Sequence, residues 1–279
     1  MLGIKLDFSS LIWILFLLMA FAPMVRQYKI QSQRFQAFRQ LEKKRGSRVI
    51  ALIHRQEMIA FFGIPLSSYI SVDDSEQVLR AIRMTPEEMP IDMILHTPGG
   101  LVLASEQIAQ ALRKHKAKVT VFVPHYAMSG GTMIALAADE IIMDPNAVLG
   151  PVDPQIGKYP AASLIKVARE KDINEMDDET LILADIARKA LSQVKAKVFE
   201  ILRDRLDEEK ARELTEILAE GRWTHDYPIS CSELTGMGLP ACGLMPPDIY
   251  QLMDLFPQPV RRQPTVTYIP LPYGKDKRE

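Results

Sequence analysis

The chain has 279 residues of ordinary globular composition: 47% are hydrophobic, 25% are charged and the formal net charge is -1. A chain of this size can hold one well-filled core with appendages, so one main domain is expected. The near-neutral net charge gives no general attraction to nucleic acid or to an acidic polymer, and we expect no nucleic-acid partner. Cys231 and Cys242 lack Cys-x-x-Cys or Cys/His spacing, which argues against a disulfide framework and a structural zinc site and favours a reducing compartment.

Near the amino terminus lies an uncharged apolar segment. Residues 8–25 (FSSLIWILFLLMAFAPMV) carry no charge, and a helix needs about 20 such residues to cross a bilayer. The segment therefore predicts a transmembrane anchor within residues 1–25. Ala20, Phe21 and Ala22 also resemble a signal-peptide cleavage site, but Pro23 directly after them disfavours cleavage. A buried core helix is the third interpretation.

The next segment, residues 26–46, is polar and strongly basic. Its positive charge outweighs that on the other side of the apolar segment. By the positive-inside tendency we therefore expect a single-pass protein whose folded part is cytoplasmic. The scattered apolar residues Phe35, Phe38 and Leu41 suit a juxtamembrane helix that leads away from anionic headgroups. A plain solvated linker is the alternative.

Strand and helix patterns alternate from Gly46 to Gly221. This alternation predicts α/β architecture with a largely parallel sheet. Asp74 and Gln77 are spaced like a capping box at the start of the first helix, and Asp177 or Asp178 is available to cap the longest helix. The predicted elements are a strand at 49–53, a helix from 73, a strand at 91–95, a helix at 104–114, a strand at 119–123, a helix at 132–138, a strand at 140–143 and helices at 178–202 and 207–220.

The segment from Pro257 onward is rich in proline and ends in charged residues. Such a composition is typical of an extended or partly disordered tail that packs on a neighbour. The predicted organisation is therefore an anchor at 1–25, a basic linker at 26–46, a folded domain at 47–256 and a proline-rich tail at 257–279.

Two glycine-rich turns follow apolar strands. Pro98-Gly99-Gly100 comes after the strand at 91–95, and Ser129-Gly130-Gly131 comes after the strand at 119–123. Open α/β sheets bind ligands at the carboxyl ends of their strands, so both turns belong to one predicted site. Acyl transfer needs a nucleophile and backbone N–H groups aimed at the developing oxyanion. The hydroxyl of the serine and the N–H groups of the glycines supply these parts at the start of a predicted helix.

Each turn taken alone is as well explained by structure as by chemistry. The first reverses the chain after a buried strand, and the second is a tight turn before a helix. Glycine loops also bind phosphate, but neither turn matches Gly-x-Gly-x-x-Gly or Gly-x-x-x-x-Gly-Lys. No set of His, Asp and Glu in the sequence has metal-ligand spacing, so neither a metal nor a cofactor is predicted. The two turns together favour a hydrolytic site.

Four motifs in order resemble the superfamily of Clp peptidases, signal peptide peptidase A and crotonases. They are the turn at 97–100, the turn at 129–131, the segment 144–151 (DPNAVLGP) and the late segment that runs from GRWT at 221–224 to GMGL at 236–239. Within the superfamily, the chain is most similar to the serine dehydrogenase proteinases, a group that resembles archaeal and bacterial membrane-bound serine peptidases. The resemblance covers residues 47–250. It implies a Clp/crotonase-like fold, Ser129 as nucleophile, and the N–H groups of Gly100 and Gly130 as oxyanion hole.

The general base is the open question. The superfamily uses either a Ser-His-Asp triad or a Ser-Lys dyad, but segment 149–157, where the histidine is expected, contains none, and the expected acid is the glycine Gly221. The resemblance therefore favours a dyad, with Lys171 ahead of the long helix as base and Lys166 as the alternative. A lysine acts as base only when burial or a nearby cation lowers its pKa from about 10.4. Because Lys171 stands among charged residues, a solvated loop lysine is the competing interpretation.

Three histidines stand in or near the predicted site. His225, next to Asp226, is interpreted as a structural residue that holds the loop before the turn at 232–236. His96 and His125 precede the two glycine turns, where either would orient substrate or bind the base. Each of the two is more often a satisfied structural histidine.

The sequence thus predicts a membrane-anchored serine endopeptidase with a Ser-Lys dyad. Its expected substrates are membrane-protein tails or hydrophobic peptides, and relatives of the fold commonly form homo-oligomers. Two rival functions stay open: a crotonase-like enzyme that acts on an acyl-CoA thioester, and a catalytically silent membrane scaffold of the same fold. The sequence lacks a dinucleotide fingerprint, so no dehydrogenase activity is expected.

Overall fold

A parallel sheet forms the centre of the fold. The computed structural model describes residues 8–55, 59–61, 64–66, 69–239 and 241–256. Its strands are β1 (Arg48–Ile53), β2 (Ile59–Phe61), β3 (Ile64–Leu66), β4 (Ile91–His96), β5 (Val119–Val123), β6 (Tyr126–Ala127), β7 (Glu140–Met143), β8 (Val148–Leu149), β9 (Gln155–Ile156), β10 (Tyr159–Pro160) and β11 (Ile229–Ser230). Four of them form the sheet in the order β1-β4-β5-β7, with every pair parallel. The predicted α/β class is confirmed.

Helices pack against this sheet and against each other. They are α1 (Phe8–Arg45), α2 (Val72–Arg83), α3 (Val102–Arg113), α4 (Gly130–Leu136), α5 (Ala161–Glu170), α6 (Asp178–Leu202), α7 (Glu208–Ala219), α8 (Cys231–Gly236) and α9 (Pro247–Asp254), with a 3₁₀ turn at Ile173–Glu175. Helix α3 contacts α2 and α4, and α6 contacts α5 and α7. Every residue of β4 and β5 is buried, as expected for parallel strands covered on both faces.

Several predicted elements agree closely with the structure. The strands predicted at 119–123 and 140–143 are β5 and β7. The long helix α6 begins where predicted, because the carboxylate of Asp177 accepts a hydrogen bond from the N–H of Thr180. Gly221, with φ of +77°, follows the end of α7 and provides the left-handed conformation that commonly ends a helix.

The start of α2 differs from the prediction. Ser71 is the N-cap: its hydroxyl accepts from the N–H of Asp74, and the carboxylate of Asp74 accepts from the N–H of Ser71. Asp74 therefore closes the capping box rather than opening it with Gln77. The difference arises because the helix begins at Val72, whose exposed side chain does not follow the buried periodic pattern.

The two cysteines are paired. Cys231 begins α8, and Cys242 forms an isolated bridge with Met143 beside the central sheet. Their Cα atoms lie 5.5 Å apart and the sulfurs form a disulfide, so the inference from spacing against a disulfide was wrong. Cys-x-x-Cys spacing reports only on local geometry, whereas this pair is brought together by the return of the chain to the edge of β7.

Helix α1 is continuous from the apolar segment into the basic one. Near its end Leu41 is buried against Ile249 and Leu252 of α9, and the guanidinium of Arg34 donates to the carbonyl of Leu255 at 2.9 Å. Residues 26–45 are thus helical, and the last turns pack on the folded domain.

The predicted membrane span finds no support in the structure. Among the residues whose side chains are described, no helix is both long and apolar enough to cross a membrane. Most side chains of residues 8–20 fall outside that description, as do residues 1–7 and the predicted tail at 257–279.

A small second sheet was not predicted. Its order is β11-β8-β6. Strand β8 runs parallel to β6, with Ala127 opposite Leu149, and antiparallel to β11, with Leu149 opposite Ile229. Strands of two residues have no readable periodicity, yet this sheet fixes the segment directly before Ser129.

Candidate active site

The two glycine turns lie against each other. A Cβ atom added to Gly99 would lie 2.9 Å from Cβ of Ser129, and one added to Gly130 would lie 3.6 Å from the backbone nitrogen of Gly100. The turns are joined through Thr97, whose N–H donates to the carbonyl of Tyr126 at 3.1 Å. The structure therefore brings Ser129, Gly100 and Gly130 into one place at the carboxyl ends of β4 and β5.

Ser129 has an unusual backbone conformation. Its φ is +51° and its ψ is -113°, and among the described residues it is the only non-glycine with positive φ. Such a conformation costs about 1–3 kcal/mol and persists only where the surrounding structure imposes it. Outliers of this kind cluster at functional sites, so the geometry supports a special role for this serine.

Two backbone N–H groups accompany the serine. No backbone carbonyl of the described residues accepts a hydrogen bond from the N–H of Gly100 or Gly130. We call these two groups the amide pair. Unpaired donors that are fixed by the fold stabilise negative charge on a substrate oxygen without further reorganisation. The arrangement has the parts of an oxyanion hole.

A hydrogen-bonded network lies behind the first turn. The hydroxyl of Thr97 accepts from the N–H of Gly99 at 3.2 Å and lies 2.9 Å from Nδ1 of His54. Nε2 of His54 lies 3.4 Å from the carboxylate of Asp74. One neutral tautomer of His54 satisfies both of its hydrogen bonds, with Thr97 donating to Nδ1 and Nε2–H donating to Asp74. Burial lowers the pKa of His54 while the charge of Asp74 opposes this, and the balance favours the neutral ring.

His54 is a residue that sequence reasoning missed. It directly follows β1, and the parallel register pairs Ile53 of β1 with His96 of β4. His54 therefore lies at the same edge of the sheet as Thr97. The available signal was a polar residue at the end of a buried strand, the same signal that marks the two glycine turns.

We expect Thr97→Val to slow acylation of Ser129 by about tenfold or more, because an unsatisfied Gly99 N–H costs about 1–3 kcal/mol and loosens the turn. The measurement is the rate of labelling by a fluorophosphonate probe well below the melting temperature. Thr85→Val is the matched control, since Thr85 is also buried and donates to the carbonyl of Ala81 at 2.8 Å. Equal labelling rates for the two variants would contradict a positioning role for Thr97.

His96 and His125 take structural positions. His96 is buried with its ring 4.3 Å from that of Tyr126, and neither ring nitrogen has a hydrogen-bond partner among the described residues. Burial, aided by the charge of Arg55, lowers the pKa of His96 to about 3, so its ring is neutral and too weakly basic to activate a hydroxyl. His125 is exposed and packs its edge against His96.

The two predicted lysines are exposed. Lys166 lies in α5 and its amine is 3.8 Å from the carboxylate of Glu170. Lys171 caps the end of α5, and its charge helps to lower the pKa of Asp177, secondary to the hydrogen bonds from Thr180. The single chain thus gives neither lysine the buried setting that a lysine base requires.

His225 contacts a residue that the sequence did not single out. Its Nδ1 lies 2.8 Å from a carboxylate oxygen of Asp153, which is buried. That hydrogen bond is the main reason that the pKa of His225 is raised, although burial opposes it. The expected structural role, holding the loop before the turn at 232–236, agrees with this contact, but the partner comes from the segment after β8.

A parallel sheet that presents a strained serine beside an amide pair defines a serine hydrolase of the ClpP-like class. The chain belongs to the family described as ClpP-like SDH-type serine proteinases, whose model matches residues 4–279. The predicted family and the ClpP-like mixed α/β fold are confirmed.

Two uncharacterized proteins of Methanocaldococcus jannaschii are similar to the chain along most of its length. MJ1495 is 54% identical over 95% of this chain and 90% of its own, and MJ0137 is 55% identical over 96% of this chain and 94% of its own. Among solved structures, a mutant of the 1510-N membrane-bound stomatin-specific protease is 22% identical and matches 67% of this chain and 79% of its own with a TM-score of 0.44.

Proposed function

We propose that the chain is a serine endopeptidase that forms its acyl-enzyme on Ser129. The observation that carries the proposal is the strained serine held against the amide pair. The hydroxyl attacks the scissile carbonyl, and the amide pair stabilises the oxyanion. The leaving amine takes a proton from the base, and water then hydrolyses the ester.

The resemblance supplies Lys171 as the base of a Ser-Lys dyad, with Lys166 as the alternative. Both side chains are exposed in the single chain, whereas a lysine acts as base only where burial or a nearby cation favours its neutral form. A dyad would therefore require that a neighbouring molecule bury the amine. Assembly into a homo-oligomer, which the sequence also leads us to expect, is one way to provide that burial.

Hydrophobic peptides are the proposed substrates. Leu101, Val102 and Leu103 follow directly on the turn that carries Gly100, and all three side chains are exposed. Consecutive exposed apolar side chains beside a predicted oxyanion hole suit an extended apolar peptide, because binding would remove their surface from water. Membrane-protein tails have this chemistry.

Attachment to a membrane through residues 8–25 is a further part of the proposal. Its support is the uncharged apolar sequence, followed by basic residues that would keep the folded domain in the cytoplasm. We expect the full chain to stay in membranes washed with alkaline carbonate. A Leu17→Arg/Leu18→Arg variant should be released, because each arginine at the centre of a span costs about 3 kcal/mol. Release of the unsubstituted chain by carbonate would contradict the anchor.

A fluorophosphonate probe tests the peptidase proposal. Modification of the hydroxyl of Ser129, located by mass spectrometry, together with cleavage of apolar peptides supports it. Two other results support the rivals: binding of an acyl-CoA thioester that survives loss of Ser129 indicates a crotonase-like enzyme, and a folded chain that neither labels nor cleaves indicates a silent scaffold.

A further inference from the structure

One peptide group sets the direction of the Gly100 N–H. The carbonyl of Gly99 and the N–H of Gly100 belong to the same planar peptide group and point to opposite sides. Ile70 forms an isolated parallel bridge with Gly100, in which its N–H donates to the carbonyl of Gly99 at 2.8 Å and its carbonyl accepts from the N–H of Leu101 at 2.9 Å. Whatever moves the carbonyl of Gly99 therefore turns half of the amide pair.

His54 joins the two contacts that hold this peptide group. Ile70 directly precedes Ser71, whose N–H donates to the carboxylate of Asp74 at 2.8 Å. The same carboxylate oxygen lies 3.4 Å from Nε2 of His54. Nδ1 of His54 lies 2.9 Å from the hydroxyl of Thr97, which holds the N–H of Gly99 on the other side of the turn. The ring is buried, so its place between these contacts is fixed by packing.

We infer that His54 is a positioning residue for the oxyanion hole, and that its neutral ring keeps the peptide group between Gly99 and Gly100 in the direction that the reaction needs. The inference rests on the proposed function. His54 acts through Thr97 and Asp74, with which it has its hydrogen-bond and ion-pair contacts.

A proton from solvent on Nδ1 of His54 would disturb the turn. In the neutral ring Nδ1 accepts from the hydroxyl of Thr97, but in the charged ring Nδ1 is itself a donor, so the hydroxyl proton has to turn away. An acceptor within reach is the carbonyl of Gly99, 3.4 Å from the hydroxyl. That carbonyl already accepts from Ile70. A second donor on the opposite side rotates the peptide group and displaces the N–H of Gly100.

The surroundings of the ring decide where this change occurs. Burial lowers the pKa of His54, and the charge of Asp74 from α2 partly opposes the shift. From β4, His96 presents a second imidazole, which stays neutral because burial lowers its pKa to about 3. Arg55, the next residue in the chain, donates to two backbone carbonyls near the end of α9. Labelling of Ser129 should therefore fall in acid as the pH drops through a value below the ordinary histidine pKa of about 6.5.

His54→Gln isolates this effect from the titration of the general base. The glutamine carbonyl can accept from Thr97 while its amide donates to Asp74, and neither group titrates. We expect fluorophosphonate labelling within about threefold of the unsubstituted chain at neutral pH, since both hydrogen bonds are kept. In acid the variant should label faster than the unsubstituted chain. The base titrates in both proteins and cancels in the ratio of their rates, so an inflection of that ratio reports His54.

His54→Leu removes the acceptor of the Thr97 hydroxyl at every pH. Labelling should fall by about tenfold or more, because a buried donor is left unsatisfied, and hydrolysis of an apolar peptide should lose kcat while KM stays the same. The double variant His54→Leu/Thr97→Val should be no slower than the slower single variant, since both break one contact. His115→Leu is the control: this half-buried histidine has a ring nitrogen 2.7 Å from the carbonyl of Met89 and should label normally.

Asp74→Asn provides an independent check in a chain that keeps His54. The amide oxygen of asparagine can still accept from the N–H of Ser71, so the cap of α2 is kept. Loss of the carboxylate removes the charge that raises the pKa of His54. The inflection of the labelling ratio should therefore move to lower pH. All rates are compared well below the melting temperature of each variant.

Two results would overturn the inference. If His54→Leu labels like His115→Leu and the ratio for His54→Gln is flat with pH, His54 does not position the turn, and the serine peptidase proposal stands. If the unsubstituted chain is never labelled at Ser129, the proposed function fails and the inference fails with it.

Discussion

Ser129→Ala is expected to abolish covalent labelling and to lower peptide hydrolysis by about 10,000- to 1,000,000-fold, because no other hydroxyl replaces the nucleophile. The fold should persist. Alanine meets the same positive φ as serine, so the strain at this position is unchanged. The measurements are probe labelling, peptide cleavage and the melting temperature of each variant.

Ser105→Ala is the matched control for this substitution. Ser105 lies in α3 beside Gly130, and its buried hydroxyl has no hydrogen-bond partner among the described residues. Its removal breaks no hydrogen bond, so labelling should continue. Labelling that persists in Ser129→Ala, or that is lost equally in Ser105→Ala, would refute the assignment of the nucleophile.

The central sheet was predictable because each strand is a short apolar run that can be recognised from its own residues. All five residues of β5 are apolar or threonine and all are buried, and such runs bounded by turns are readable in one sequence. Capping was readable for the same reason at Asp177, where the donor Thr180 is three residues away. The start of α2 was missed by a small margin because its true cap, Ser71, precedes an exposed valine.

The site was predictable only where its residues are close in the chain. The turns at 97–100 and 129–131 can be recognised from their glycines and from their position after predicted strands. His54 and Asp153 act through partners 43 and 72 residues away, and no local pattern reports such contacts. For Lys171 the family resemblance indicates a role as general base. Whether its side chain is buried depends on the three-dimensional fold, which the sequence around it does not report.

Gly130→Ala should impair catalysis by displacing half of the amide pair. A Cβ atom at this position would lie 2.1 Å from Oγ and 2.9 Å from Cβ of Ser105, so the backbone or α3 must move. Loss of one oxyanion donor typically lowers turnover by about 100- to 1,000-fold, and we expect a fall of this size in labelling and hydrolysis. Gly236→Ala is the control, because an added Cβ there meets no atom within 4 Å.

The steric origin of this effect can be separated from a general loss of folding. Ser105→Gly removes both of the atoms that obstruct the new methyl group, at a cost of about 1 kcal/mol for glycine in a helix. The double variant Gly130→Ala/Ser105→Gly should therefore recover most of the activity that Gly130→Ala loses, a coupling that two independent defects would not show. Additive losses in the double variant would mean that the position of the Gly130 N–H does not govern the reaction, and the oxyanion hole would have to be sought elsewhere.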